Sequence, residues 1–108
     1  MILLPMLLTL TLEPPTDARS CAIRYRAIEA MFSYAIDSPA MLATSKRYGA
    51  RLVTVLVKAG EMKDGEVLPA AISEAGSAYA RDWRDGKITD KQVAAEVEAC
   101  DKAHGYGG

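Results

Sequence analysis

Three side chains stand out as candidates for thiol or zinc chemistry, namely the two cysteines and the single histidine. Cys100 and His104 are four positions apart, which places a thiol and an imidazole on one face of a helix, while Cys21 lies near the other end of the chain. Together they would supply a Cys2His zinc site. We predict instead a Cys21–Cys100 disulfide, with no metal and no cofactor, because a histidine at a helix end is commonly half exposed and favoured there by the helix dipole.

The sequence offers no residue set that supports catalysis. Nucleophilic catalysis needs a base beside a serine, threonine or cysteine, and the single histidine, His104, lies at the C-terminal end. The acids Glu96 and Glu98 have the spacing of a solvated helix face. The glycines of residues 105–108 follow a helix, whereas phosphate-binding glycines precede one. We therefore predict that the protein is not an enzyme.

The charge balance argues against polyelectrolyte partners. The chain has 13 basic and 14 acidic residues. Its densest basic group consists of Lys46, Arg47 and Arg51, of which the two arginines share a helix face. Binding to nucleic acid or to anionic lipid requires a marked and clustered positive excess, so we predict neither partner.

Residues 1–12, MILLPMLLTLTL, carry no charged side chain and are almost wholly apolar. The run is too short to span a bilayer, which needs about 20 apolar residues, but it fits the ~7–15 residues of a secretory h-region. Ala18 supplies a small residue for cleavage, although no Lys or Arg precedes the run. The alternative is an apolar first element in the core, and Pro5, Pro14 and Pro15 disfavour it.

We therefore predict a signal peptide at residues 1–18 and a single helical domain at residues 19–108. The mature chain is expected to be periplasmic or secreted, without an integral membrane segment. A lipoprotein would use Cys21 as its lipidated residue, but Arg19 fits that motif poorly and Cys100 would be left alone.

The composition favours helices, since alanine is frequent and aromatic residues are few. We expect helices over residues 17 or 20 to 37, residues 39–58, residues 68 or 69 to 85, and a last helix between an N-cap at Thr89 and a C′ residue at Gly105. Ser38 and Pro39 end the first helix and begin the second. Gln92 is placed for a capping box with Thr89, and the GYGG tail is expected to fray.

Two segments leave alternatives open. The run LVTVLV at residues 52–57 is rich in β-branched residues, which suggests a strand, but it lacks turn residues in front and we predict helix. Gly76 either weakens the third helix or allows a close approach to a neighbouring helix, and the small residues around it favour the close approach.

Short connections between four helices predict an all-α, up-down-up-down four-helix bundle. In that topology the first and last helices are antiparallel neighbours, which brings Cys21 and Cys100 to the same end. A disulfide between them closes a loop of about 80 residues and stabilises the fold by about 4 kcal/mol in the chain-entropy model. The alternative is two buried free thiols in a cytosolic protein.

The aromatic residues Tyr48, Tyr79 and Trp83 are candidates for lining a ligand pocket between helices, but a place in the core is favoured because the chain has few other large apolar residues. We predict a small exported, non-enzymatic binding or structural module of the cell envelope, acting on an unknown protein or envelope partner. The alternative is a carrier of a small ligand or metal in the bundle interior. Exposed apolar side chains on the second or third helix would favour the module, and a cavity beside the three aromatic residues would favour the carrier.

Overall fold

The computed structural model describes residues 13–106, which form four α-helices and no strand. The helices are α1 (Ala18–Phe32), α2 (Pro39–Lys58), α3 (Ala70–Arg84) and α4 (Asp90–Ala103). The prediction of an all-α fold with four helices is confirmed. Residues 1–12 of the predicted signal peptide lie outside the described residues. Within residues 13–106, no helix is long and apolar enough to cross a bilayer.

The first helix, α1, is the centre of the fold. It contacts the three other helices, most extensively α2 and α3 and less extensively α4. Five of its residues are buried, namely Cys21, Ala22, Tyr25, Ala27 and Ile28. Buried side chains from the other three helices, such as Leu56, Ile72 and Val97, complete one core around this helix.

The N-terminus of α1 is tied down by residues that precede it. The Asp17 carboxylate accepts a hydrogen bond from the backbone N–H of Ser20 at 3.1 Å and so caps the helix. The two residues before this cap contact the end of α4. His104 Nε2 lies 2.9 Å from the Thr16 carbonyl oxygen, and Cys100 Sγ lies 3.7 Å from the Pro15 carbonyl oxygen.

The C-terminus of α1 lies at Phe32 and not at the predicted residue 37. Residues 33–38 instead form turns, in which the N–H of Ala35 donates to the Phe32 carbonyl at 3.2 Å. Tyr34 and Ile36 are 85% and 78% exposed. Extending the helix through them would add little burial to offset the entropy of ordering the chain, so the helix ends where its contacts end.

The second and fourth helices have the predicted bounds. Ser38 caps α2 by accepting from the Met41 N–H, with Pro39 as the first helical residue. The LVTVLV run is helical and buries Leu52, Val55 and Leu56 at helical spacing. Thr89 caps α4 by accepting from the Gln92 N–H at 3.1 Å.

Two other local predictions concern Gly76 and the tail. An added Cβ at Gly76 would overlap the Arg26 side chain and approach the Ile23 carbonyl oxygen to 3.3 Å, so the predicted close approach to α1 is confirmed. The prediction of a frayed tail is wrong for Tyr106, while Gly107 and Gly108 lie outside the described residues. Its ring packs edge-on against Tyr25 with centroids 6.5 Å apart.

The predicted disulfide joins Cys21 of α1 to Cys100 of α4, with Cα atoms 5.5 Å apart. Both residues are fully buried. Because Cys21 lies in the first turn of α1 and Cys100 in the last turn of α4, these helices are antiparallel and are cross-linked at one end of the molecule. The turns between α1 and α2 and between α3 and α4 lie at the opposite end.

Candidate binding cleft

A cleft of about 630 Å³ lies between α2 and α4, with α1 as its floor. Three helices supply most of its surface and Trp83 of α3 closes one end. The lining residues are Ile28, Phe32, Thr44, Arg47, Tyr48, Trp83, Asp90, Val93, Ala94, Val97, Glu98, Asp101 and Lys102. The cleft follows α4 from its first residue almost to its last.

The floor of the cleft is apolar. Ile28 and Phe32 of α1 lie beside Val93 and Val97 of α4. Trp83 stacks edge-on against Phe32, with ring centroids 6.2 Å apart. Its indole N–H donates to Asp90 Oδ1 at 2.7 Å, which fixes the orientation of the ring. Ile28, Val93 and Val97 belong to the buried core, so the apolar surface that the floor leaves accessible comes mainly from Phe32 and Trp83, which are partly exposed.

The α2 wall carries Thr44, Arg47 and Tyr48. The Thr44 hydroxyl donates to the Ala40 carbonyl oxygen at 3.0 Å. The Arg47 guanidinium lies 5.5 Å from the centre of the Tyr48 ring, within the range of a cation–π contact. Arg47 is exposed, and within residues 13–106 it forms neither an ion pair nor a hydrogen bond through its side chain. Arg47 is therefore a cation without an anionic partner among the described residues.

The α4 wall is acidic, but its carboxylates are engaged. Asp101 Oδ1 lies 3.0 Å from Arg51 Nη1 of α2, and the same oxygen accepts from the Tyr25 hydroxyl at 2.7 Å. Glu98 lies 3.5 Å from Lys102 Nζ one turn later. This wall is therefore closer to neutral than its residue types suggest.

Arg51 and Asp101 join α2 to α4 near the end of the cleft that lies toward the disulfide. The Arg51 guanidinium lies between two aromatic rings, 4.8 Å from the centre of Tyr48 and 4.7 Å from that of Tyr106. Burial, followed by the hydrogen bond to Asp101, raises the pKa of Tyr25 well above its usual value, so this phenol stays a donor at physiological pH. Within the described residues, this ion pair is the one hydrogen-bonded link between α2 and α4.

Two of the three predicted ligand-lining aromatic residues lie in the cleft. Tyr48 forms part of the α2 wall and Trp83 closes one end. Tyr79 lies elsewhere, under the Arg24 guanidinium, which is 5.2 Å from its ring centre. Its hydroxyl donates to Glu96 Oε1 at 2.8 Å, so Tyr79 belongs to a polar link between helices and does not line the cleft.

Glu96 is not the solvated acid that its spacing predicts. It accepts hydrogen bonds from Arg24 of α1 at 2.7 Å, from Tyr79 of α3 and from Gln92 of its own helix at 3.2 Å. The Arg24 and Glu96 side chains are 14% and 13% exposed. Burial tends to raise the pKa of Glu96, but the hydrogen bonds from Tyr79 and Arg24 outweigh it, and the pKa is lowered.

A Cys2His zinc site would need two free thiolates, but the sulfur atoms of Cys21 and Cys100 are bonded to each other. His104 donates to the Thr16 carbonyl oxygen instead of facing a metal ligand. In the part of the chain that the structure describes, no three His, Cys, Asp or Glu side chains are grouped as metal ligands.

The sequence does not reveal which residues form this cleft. Arg47 stands out only as one of three clustered bases, and Ile28 and Phe32 only as apolar positions of the first helix. These residues line one cleft because of the distance between α2 and α4, and local sequence patterns do not predict that distance. Comparison of the chain with models of known families, with curated proteins and with solved structures finds no match.

Proposed function

We propose that the protein is a small exported module that binds a partner protein, and that the cleft between α2 and α4 receives an apolar segment of that partner. The observation that carries the proposal is an open cleft of about 630 Å³ whose lining includes the partly exposed aromatic side chains of Phe32, Tyr48 and Trp83. Burying such a surface is the main driving force of protein association.

The shape of the cleft favours a segment of polypeptide. From Asp90 to Lys102 the cleft follows α4 for about 18 Å, at 1.5 Å per helical residue. Small-ligand sites commonly enclose 70–90% of their ligand, whereas this cleft lies open along its length. A helix or extended segment would match that length and leave its own outer face in solvent.

The role proposed here is binding without catalysis. The cleft is lined by no histidine or cysteine, and the Thr44 hydroxyl is held by the Ala40 carbonyl. A nucleophile would need a base within hydrogen-bond reach. The residues that line the cleft offer apolar surface and charged groups, which are the features of a site that binds another molecule.

Export is supported by the Cys21–Cys100 disulfide, because such bonds persist mainly in oxidising compartments. Residues 1–12 have the composition of a secretory h-region. We propose a periplasmic or secreted location on these two grounds.

One observation favours a carrier of a small ligand as the second candidate. Tyr48 and Trp83 both face the cleft, and its volume falls within the range of about 300–1,000 Å³ that is typical of small-molecule sites. An aromatic or aliphatic ligand lying on the floor would contact both rings.

Two neighbouring alanines of α4 provide a matched test. Ala94 lines the cleft and Ala95 does not, and both are exposed. Ala94→Trp fills the cleft, while Ala95→Trp makes the same chemical change outside it, at the same cost in helix propensity. The wild type and both variants would be purified from the export fraction of the native host and examined by native mass spectrometry.

We expect one protein partner to remain bound to the wild type and to Ala95→Trp, and to be lost from Ala94→Trp. A partner that stays bound to Ala94→Trp would refute the cleft as the docking site. A small bound mass that Ala94→Trp displaces, with no protein partner, would establish the carrier instead.

A further inference from the structure

We infer that the partner segment is a single amphipathic helix of about three turns that places an acidic side chain against Arg47. This inference rests on the proposed function and specifies the chemistry of the partner. It depends on the geometry of the two walls and on the charges that line them.

The geometry of the cleft suits a helix. α2 and α4 form its walls and α1 its floor, and the partly exposed rings of Phe32, Tyr48 and Trp83 supply the apolar surface on which a further helix would pack. Three turns of helix extend about 16 Å, close to the length of the cleft along α4. Amphipathic helices bind such grooves through apolar side chains at positions i, i+3, i+4 and i+7.

The charges on the α4 wall are already compensated. Glu98 lies beside Lys102, and Asp101 beside Arg51. Asp90 accepts from the Trp83 indole and lies in the first turn of α4, where the helix dipole favours a negative charge. A basic side chain on the bound helix would therefore gain little from this wall.

The α2 wall differs because, among residues 13–106, the charge of Arg47 is in contact with the Tyr48 ring and with no carboxylate. A bound helix would cover part of Arg47 and reduce its contact with water. A carboxylate on the edge of that helix would compensate the charge, and a lysine there would oppose it. Arg47 is thus the specificity-determining residue of the cleft.

The test uses two synthetic 14-residue helical peptides with the same leucine stripe and no tryptophan, one flanked by glutamates and the other by lysines. Trp83 is the only tryptophan of the chain and lines the cleft, so its fluorescence reports binding. Each peptide would be titrated at low salt into the wild type, Arg47→Glu and Lys46→Glu. Lys46 is an exposed neighbour that does not line the cleft, so Lys46→Glu makes the same change in net charge outside the site.

We expect the wild type to bind the glutamate peptide about fivefold more tightly than the lysine peptide, as for an exposed ion pair. Arg47→Glu should reverse the preference and Lys46→Glu should keep it, while added salt should weaken it. Equal binding of both peptides would overturn the inference and leave the proposed function standing. Failure of both peptides to bind would overturn the inference and count against a protein partner. The same conclusion would follow if the protein bound decanoate, a small apolar ligand, and neither peptide.

Discussion

At Glu96 a single carboxylate joins three helices, because it accepts hydrogen bonds from Arg24 of α1, Tyr79 of α3 and Gln92 of α4. A charged hydrogen bond in a partly buried site is worth more than one on the surface, since water competes with it less. The lowered pKa of Glu96 expresses the same preference for its charged form.

Replacing Glu96 should therefore destabilise the fold. Glu96→Gln leaves the Arg24 guanidinium without its anion, and we expect the free energy of unfolding at pH 7 to fall by about 2 kcal/mol. Urea titration followed by circular dichroism measures the loss. Glu98→Gln is the control, because Glu98 is 69% exposed and, among the described residues, pairs with Lys102 alone, so its effect should stay near zero.

The same variant tests the pH dependence. Because the folded state lowers the pKa of Glu96, its stabilisation is complete above the pKa of an unfolded glutamate, about 4.3, and is lost as the pH falls through the lower folded-state value. The wild type should thus lose more stability than Glu96→Gln between about pH 5 and pH 3. Parallel pH profiles for the two proteins would mean that the carboxylate contributes nothing to folding.

At the scale of single elements, the start of α1 uses residues on the leader side of the predicted cleavage point. Asp17 caps the helix and the Thr16 carbonyl accepts from His104. A chain beginning at Arg19 lacks both contacts. We expect it to be about 1–2 kcal/mol less stable than a chain beginning at Glu13.

Thermal and urea unfolding of the two oxidised chains would measure this difference. Asp17→Ala in the longer chain separates the contributions, because it removes the cap and keeps the Thr16 carbonyl that accepts from His104, and it should cost about 1 kcal/mol. Two chains of equal stability would show that cleavage after Ala18 costs the domain nothing.

Local chemistry explains which elements can be predicted from sequence. Ser38, Pro39 and Thr89 act within one helical turn, so the bounds of α2 and the start of α4 follow from residue type alone. The end of α1 does not, because Tyr34 would continue a helix equally well and only the absence of a covering neighbour stops it.

The candidate site was less predictable, for the same reason. Tyr48 and Trp83 can be proposed because large aromatic residues are few, but sequence cannot separate them from Tyr79, which faces Glu96. The spacing of Glu96 along its helix predicts a solvated side chain, whereas Arg24 of α1 and Tyr79 of α3 cover it in the fold. The type of a residue indicates which interactions its side chain can make, but whether that side chain is buried depends on the spacing between helices.

At the scale of the whole molecule, one covalent bond joins the first turn of the domain to its last. Removing the disulfide with Cys21→Ala and Cys100→Ala together should cost about 4 kcal/mol, a large part of the ~5–15 kcal/mol of a small domain. Urea unfolding of the double variant measures this cost. A loss below about 1 kcal/mol would show that helix packing alone sustains the fold.

Side chains of α2 and α4 bridge the cleft at one end, and at the other end α4 is held to α3 by the Trp83–Asp90 hydrogen bond. Near Lys102 the disulfide holds α4 to α1, and Arg51 with Asp101 ties α2 to α4. Near Trp83, within the described residues, no hydrogen bond or ion pair joins α2 to α4. The ion pair therefore sets the distance between α2 and α4 at the disulfide end of the cleft, and no such pair sets it among the described residues near Trp83. Under the proposed binding role, we expect a segment in the cleft to carry bulky side chains beside Trp83 more readily than beside Asp101.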